Sequence, residues 1–226
     1  QQGNVDAIKA LAALGASVNT PADNGSTPVY IAAAWGHVDA IKALAALGAS
    51  VNTPGNNGCT PVFVAAQQGH VDAIKALAAL GASVIAPADN GSTPVYIAAA
   101  WGHVDAIKAL AALGASVNTP ENEGCTPVFI AAQNGHVDAI KALAAVGASA
   151  NTPANDGSTP VYVAAQQGHV DAIKALAALG ASVIAPADNG STPVLIAAQQ
   201  GYAATIKLLY KLGADLGCYT LSSGEK

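Results

Sequence analysis

The sequence predicts an all-α solenoid, in which short helix-turn-helix units stack in a row and each unit has a short β-hairpin or loop arm. Residues 23–54 recur unchanged at 89–120, and looser copies follow at a spacing of 33 residues. A fixed period of this length is typical of repeat proteins, whose units bury their apolar faces against neighbouring units. The glycine that opens each unit occurs six times, at Gly25, Gly58, Gly91, Gly124, Gly157 and Gly190.

The period divides the chain into a half unit and six full units. The predicted ranges are 1–22 for the half unit and 23–55, 56–88, 89–121, 122–154, 155–187 and 188–220 for units 1 to 6, with a tail at 221–226. Residues 1–22 begin without Met and lack a turn and a first helix, so we expect a truncated N-terminus. Lys207, Tyr210, Lys211 and the polar residues 222–226 are typical of a cap, so we expect a native C-terminus.

Each unit begins with a turn and a short first helix. In unit 1, Asp23, Asn24 and Gly25 form a turn cluster. The pair Thr27 and Pro28 predicts a helix start, with the hydroxyl as N-cap and proline at the first helical position. The predicted helix covers 28–35 and ends at Gly36, which adopts a left-handed conformation readily.

A second helix and an arm complete the unit. The second helix is predicted over 38–47 and ends at Gly48. Its apolar residues recur at helical spacing, at Val38, Ile41, Leu44, Ala45 and Leu47, which predicts a buried stripe against the first helix and the next unit. The first helix contributes Val29, Ile31, Ala32 and Ala33 to this predicted core. Residues 49–58 predict an extended arm and a tight turn that project from the stack.

The strings GSTPVYIAA and GHVDAIKALAALGASVN resemble ankyrin repeats, whose signature is TPLHxAA followed by a GH turn and a GADVN ending. The resemblance covers residues 1–216. It departs at the His of TPLH, where this chain has Tyr30, Phe63, Tyr96, Phe129, Tyr162 and Leu195. In the family that imidazole bonds the backbone of the neighbouring arm. We therefore expect burial of these larger side chains to replace a polar contact.

The cysteines and the hydropathy pattern predict an intracellular, cytoplasmic protein. Cys59 and Cys125 lie two units apart, a separation of about 16–20 Å for helix layers spaced by about 8–10 Å. A disulfide needs Cα atoms within about 7 Å, so we expect free thiols and a reducing compartment. Glycines and charged residues interrupt every apolar run, which argues against a membrane span.

No residue pattern predicts catalysis, a cofactor or a metal site. In units 1 to 5, one histidine precedes the second helix, at His37, His70, His103, His136 and His169. Consecutive members belong to different layers, too far apart to share a metal ion, so we interpret each as a loop-fixing hydrogen bond repeated in each unit. The sequence contains no GxSxG elbow, phosphate loop or dinucleotide fingerprint. We therefore predict a protein that is not an enzyme.

The charges predict one acidic edge. Five Asp/Lys pairs at i,i+3 spacing nearly neutralise the second helices, at Asp39/Lys42, Asp72/Lys75, Asp105/Lys108, Asp138/Lys141 and Asp171/Lys174. The arms have no basic residue and bear Asp23, Asp89, Glu121, Glu123, Asp156 and Asp188. Without arginine, a nucleic-acid role has no electrostatic basis. A basic peptide would complement this edge, although solvated turn carboxylates are the commoner explanation of such a pattern.

The resemblance implies a concave surface at the end of each first helix, where the family usually makes its partner contacts. This chain places Trp35, Gln68, Trp101, Asn134, Gln167 and Gln200 there. Two exposed tryptophans about 20 Å apart would be strong anchors. Alternatively each indole packs across the neighbouring first helix, and duplication of the unit accounts for the second tryptophan.

These observations predict a non-catalytic scaffold that binds a protein or peptide on the concave face and the acidic edge, through the six residues above and Asp23, Asp89, Glu123, Asp156 and Asp188. The chain is expected to be a monomer. One alternative is a structural spacer that associates end to end within a larger protein. Another is a segment that recruits substrate for an enzyme domain outside this sequence.

Overall fold

The computed structural model describes residues 4–215, and within them the chain forms thirteen helices and no strand. The first helix of each full unit is called a front helix: α2 (Pro28–Ala34), α4 (Pro61–Gln67), α6 (Pro94–Ala100), α8 (Pro127–Gln133), α10 (Pro160–Gln166) and α12 (Pro193–Gln199). The others are back helices: α1 (Val5–Ala13), α3 (Val38–Ala46), α5 (Val71–Ala79), α7 (Val104–Ala112), α9 (Val137–Ala145), α11 (Val170–Ala178) and α13 (Ala203–Lys211).

The helices stack in two parallel layers, which confirms the predicted solenoid. Each front helix packs against its own back helix and against the front helices of adjacent units, and successive back helices pack in the same order. The predicted cap residues 222–226 and the end of unit 6 from residue 216 lie outside the described part of the chain.

The predicted caps begin the front helices. The Thr27 Oγ1 accepts a hydrogen bond of 3.2 Å from the Tyr30 N–H, and Pro28 occupies the first turn. Equivalent threonines cap the other front helices. Each helix ends one residue earlier than predicted: Trp35 is the C-cap residue, and Gly36 follows with φ of 67°. A positive φ favours glycine, so this residue fixes the direction of the chain after the front helix.

The core lies between the layers, and the prediction of burial is wrong for two residues. Ile41 and Leu44 are buried as predicted, but Leu47 is 41% exposed because it lies beyond the last helical turn. Ile31 is 46% exposed, whereas its equivalent Val64 in unit 2 is only 5% exposed. The front helix of Val64 packs against that of unit 1, whereas residues 4–22 provide no front helix beside Ile31.

The described part of the half unit, residues 4–22, has no buried residue. Leu11 of α1 is 57% exposed, and its equivalent in α3, Leu44, is 4% exposed. A front helix covers Leu44 in unit 1, and none is present in residues 4–22. Other residues in the range 4–215 therefore leave the apolar face of α1 largely uncovered.

The arms are single tight turns joined from unit to unit. In unit 1 the Gly25 N–H donates to the Ala22 carbonyl at 2.8 Å, and the Ala22 N–H donates to the Ser26 carbonyl at 3.0 Å. Each turn then bonds the next one: the Asn56 N–H donates to the Asn24 carbonyl at 3.3 Å. These few hydrogen bonds do not form a strand ladder, so within the described residues the predicted hairpin or loop arms are turns.

The aromatic residues that replace the family histidine lie under the arms. Phe63 and Phe129 are each 5% exposed and Tyr162 is 6% exposed, while Tyr30 and Tyr96 are half-buried. Burial also raises the pKa of Tyr96, because the phenolate loses hydration there. Ring burial thus replaces a polar contact at these positions, as expected.

Candidate partner-binding surface

The front helices end in a row of exposed side chains, called here the helix-end row. Its members are the C-cap residues of the six front helices: Trp35, Gln68, Trp101, Asn134, Gln167 and Gln200. All six are exposed, and the two indoles are the largest apolar groups among them, with Trp35 70% and Trp101 57% exposed. The structure therefore places all six predicted residues on one edge of the front layer.

Three of the five histidines hold this row from the following unit. The Nε2 of His103 lies 2.9 Å from the Gln67 carbonyl, and that of His136 lies 3.0 Å from the Ala100 carbonyl. His169 makes the same contact with Gln133 at 3.0 Å. A carbonyl oxygen only accepts, so Nε2 bears the proton and donates. The predicted repeated hydrogen bond is thus present for these three histidines, and its partner is the end of the preceding front helix.

Close packing accompanies these bonds. A Cβ added at Gly69 would lie 2.8 Å from the Nδ1 of His103, so this glycine leaves room for the imidazole of the next unit. Its φ of 72° also favours glycine. The repeated Gly-His pair was visible in the sequence, but the unit that each ring contacts was not. The ends of α4, α6 and α8 are consequently held by hydrogen bonds from the next unit as well as from their own.

Asn134 differs from the other members of the row. Its Nδ2 donates a hydrogen bond of 2.8 Å to the Ala100 carbonyl, the same oxygen that His136 approaches. The amide is thus tied to the end of α6, beside Trp101. Asn134 helps to fix the surroundings of that indole, and a partner would have to compete for its NH₂ group.

A second row of exposed groups follows the arms. The acidic arm row comprises Asp23, Asp89, Glu123, Asp156 and Asp188, and all five side chains are exposed. The Asp156 carboxylate is engaged in its own turn, since Oδ1 accepts from the Ser158 N–H at 2.9 Å and Oδ2 from the Ser158 hydroxyl at 3.0 Å. The predicted acids therefore lie along one edge, and turn geometry already orients one of them.

The lysines of the repeated units lie on the back helices, away from the arms. Three of the five predicted pairs lie within ion-pair distance: Asp105 and Lys108 at 3.9 Å, Asp138 and Lys141 at 3.8 Å, and Asp171 and Lys174 at 2.8 Å. The hydrogen bond from Lys174 lowers the pKa of Asp171. All three pairs are largely exposed, so they contribute little to stability. The equal numbers of Asp and Lys make the back helices of units 1 to 5 nearly neutral.

A groove lies between the two rows in units 4 and 5. Its volume is about 590 Å³, and its walls include the aromatic rings of Phe129 and Tyr162, the amides of Gln133 and Gln166, and the Asp156 carboxylate. Sequence reasoning missed Gln133 and Gln166, which precede the C-cap residues in the chain. The groove offers a partly apolar floor beside acidic groups.

The thiols in this region are poor nucleophiles. Cys59 and Cys125 are both free. Burial, the hydrogen bond to Glu121 and nearby carboxylates raise the pKa of Cys125 from 9.0 to about 12, and burial likewise raises the pKa of Cys59. The reactive thiolate is therefore scarce at neutral pH.

Two further types of site were sought in the described part of the chain. Among residues 4–215, no group of three or more His, Cys, Asp or Glu side chains is placed to hold a metal ion. No helix in that range combines the length and apolar character needed to cross a lipid bilayer.

Comparison with known families agrees with this architecture. A family model described as ankyrin repeats (3 copies) matches residues 1–88, 84–154 and 145–220. A comparison with curated proteins finds no match. Ankyrin repeats are in general protein–protein interaction modules and are typically non-catalytic. Since the matched segments together span residues 1–220, the chain belongs to the ankyrin repeat family.

Proposed function

We propose that this chain is a non-catalytic scaffold that binds a protein or peptide partner across the helix-end row and the acidic arm row. The observation that supports this most is the exposure of the two indoles, 70% for Trp35 and 57% for Trp101. Tryptophan is enriched among the residues that dominate binding energy, and its burial in an interface removes a large apolar surface from water. Two such side chains on one rigid edge favour a binding surface.

The charges favour a partner with basic side chains. The arms present five exposed carboxylates, and the lysines of the repeated units lie on the back helices. Lysine or arginine side chains next to apolar residues would complement both rows at once. The same carboxylates repel phosphate groups, so nucleic acid is a poor partner. Free thiols support a reducing, cytoplasmic setting for this interaction.

The test is quantitative affinity capture with matched variants. The double variant Trp35→Ala/Trp101→Ala should lose the partners that the wild-type chain retains. The control Leu47→Ala/Leu80→Ala removes exposed apolar side chains, 41% and 40% exposed, from the equivalent C-cap positions that follow the back helices α3 and α5. It should retain those partners. Equal retention by both double variants would contradict the proposal.

Self-association is a second candidate, favoured by the open face of α1. Leu11 and Leu14 are 57% and 85% exposed, and an apolar helix face of this kind can pack against another molecule. Light scattering over a concentration series distinguishes the two. Mass that rises with concentration in the wild type, but not in Leu11→Glu/Leu14→Glu, would support self-association. A constant monomer mass would exclude it.

A further inference from the structure

A side-chain amide clamps neighbouring units together behind the arms. In unit 1 the Asn52 Oδ1 accepts a hydrogen bond of 2.8 Å from the Ser83 N–H, and the Asn52 Nδ2 donates one of 3.2 Å to the Gly81 carbonyl. The same pair of bonds recurs at three other junctions, made by Asn19, Asn118 and Asn151. At each of these junctions the following unit therefore presents one backbone N–H and one backbone C=O, and a single asparagine carboxamide binds both.

Ile85 occupies the clamp position in unit 2. The local backbone is unchanged, because the Ile85 N–H donates to the Ser83 Oγ at 3.4 Å, as the Asn52 N–H donates to the Ser50 Oγ at 3.3 Å. An isoleucine side chain can neither donate nor accept a hydrogen bond. As a result, the Ser116 N–H and the Gly114 carbonyl of unit 3 have no hydrogen-bond partner among residues 4–215.

Residues 89–120 repeat 23–54 unchanged, so Ser116 and Ser50 have the same local sequence. The Ser50 N–H donates to the Asn19 Oδ1 at 2.8 Å, whereas Ile85 faces Ser116 at the equivalent junction. The chain thus contains both forms of one site, filled at Ser50 and open at Ser116. This pair is a built-in control.

A groove of about 450 Å³ adjoins the open site. Its walls include Gly114 and Ser116 together with the apolar side chains of Val84, Ile85 and Val95. Ile85 is 59% exposed, although it is a large apolar residue. None of these residues belongs to the helix-end row or the acidic arm row. The groove therefore combines one hydrogen-bond donor, one acceptor and an apolar wall at a separate place on the solenoid.

We propose that this groove binds an extended peptide segment of a partner protein, with an asparagine carboxamide bonded to the Ser116 N–H and the Gly114 carbonyl. The occupant is inferred from the four filled junctions, where the side chain that makes both bonds is an asparagine each time. Apolar residues next to that asparagine pack on Ile85 and Val84.

Other functional groups fit this pair poorly. A carboxylate has no proton to donate to the Gly114 carbonyl, and an ammonium group cannot accept from the Ser116 N–H. A single trans peptide group points its N–H and C=O in opposite directions, so backbone could make both bonds only through two successive peptide groups of an extended segment. The primary carboxamide presents a donor and an acceptor side by side.

The test uses a peptide copied from the chain, Ac-ASVNTPG-NH₂, which reproduces residues 49–55 with the clamp asparagine. The peptide is titrated into the full protein labelled with ¹⁵N-serine, and the Ser116 signal is assigned by its loss in Ser116→Ala. We expect a saturable shift of the Ser116 amide, while the amides of Ser50 and Ser83, which are already clamped, stay in place.

Two controls decide the result. The same peptide with aspartate for asparagine should leave the Ser116 signal unchanged. The variant Ile85→Asn, which copies the filled junctions, should move the free Ser116 signal towards that of Ser50 and abolish the response to the peptide. The proposal is overturned if Ser116 does not respond, responds equally to the aspartate peptide, or still responds in Ile85→Asn. None of these outcomes bears on the two exposed rows.

Discussion

Replacement of Gly91 by valine tests whether the arms are joined from unit to unit. Gly91 has φ of 82°, which costs about 1–3 kcal/mol for a residue with a side chain. A Cβ there would also lie 2.9 Å from the Asn122 backbone nitrogen and would collide with the Asn122 side chain. This collision disrupts two hydrogen bonds, from the Asn122 N–H to the Asn90 carbonyl (3.1 Å) and from the Asn122 Nδ2 to the Asp89 carbonyl (3.4 Å).

Each lost bond costs about 0.5–1.5 kcal/mol, so Gly91→Val should destabilise the chain by about 2–6 kcal/mol in total. Gly190 is the matched control: it occupies the same turn position in unit 6, with φ of 77° and no atom within 4 Å of an added Cβ. Gly190→Val should incur only the strain, about 1–3 kcal/mol.

Urea denaturation followed by circular dichroism measures both variants. Stability in a repeat array is approximately a sum over units and their interfaces, so a weakened junction in the middle should divide unfolding into two steps. We expect Gly91→Val to lower the midpoint and split the transition, and Gly190→Val to lower it less. A single transition at the wild-type midpoint for Gly91→Val would refute the reasoning.

Three further predictions concern charge, a thiol and the clamp. Asp89→Asn should weaken partner binding and reduce its dependence on salt in an affinity titration, whereas Asp72→Asn on a back helix should change neither. The fold favours the neutral Cys125 thiol, so the contribution of this thiol to stability is complete below pH 9.0 and is lost as the pH rises towards about 12. The difference in free energy of unfolding between wild type and Cys125→Ser should therefore shrink over this pH range, as measured by denaturation. Ile85→Asn should stabilise the chain by about 1 kcal/mol and Asn118→Ile should destabilise it by a similar amount, as measured by the urea midpoint.

Local chemistry made most of the fold predictable from the sequence. Thr27 and Pro28 define a helix start and Gly36 defines its end whatever lies nearby, so the helices were predicted to within one residue. Burial depends on neighbours as well. The helical spacing placed Ile31 and Leu47 with the core, but both are exposed, because one lacks a covering helix in residues 4–22 and the other follows the last turn.

The candidate site was predictable to a similar extent. The 33-residue period alone places Trp35 and Trp101 at equivalent positions, and their exposure required coordinates. The contact of His136 with the preceding unit and the bond from Asn134 to the Ala100 carbonyl cross a junction, which periodicity does not describe. The substitution of Ile85 for asparagine was visible in the sequence, but its meaning depends on groups 29 and 31 residues further along the chain.

The most direct test of the proposed binding surface is ¹⁹F NMR of the chain labelled with 5-fluorotryptophan, in the presence of a purified partner. The chain contains two tryptophans, so the spectrum has two signals, and Trp35→Phe assigns them. If the partner covers the helix-end row, both signals should shift and lose their sensitivity to solvent as the partner saturates the chain. Unchanged signals for both tryptophans in the saturated complex would contradict the account.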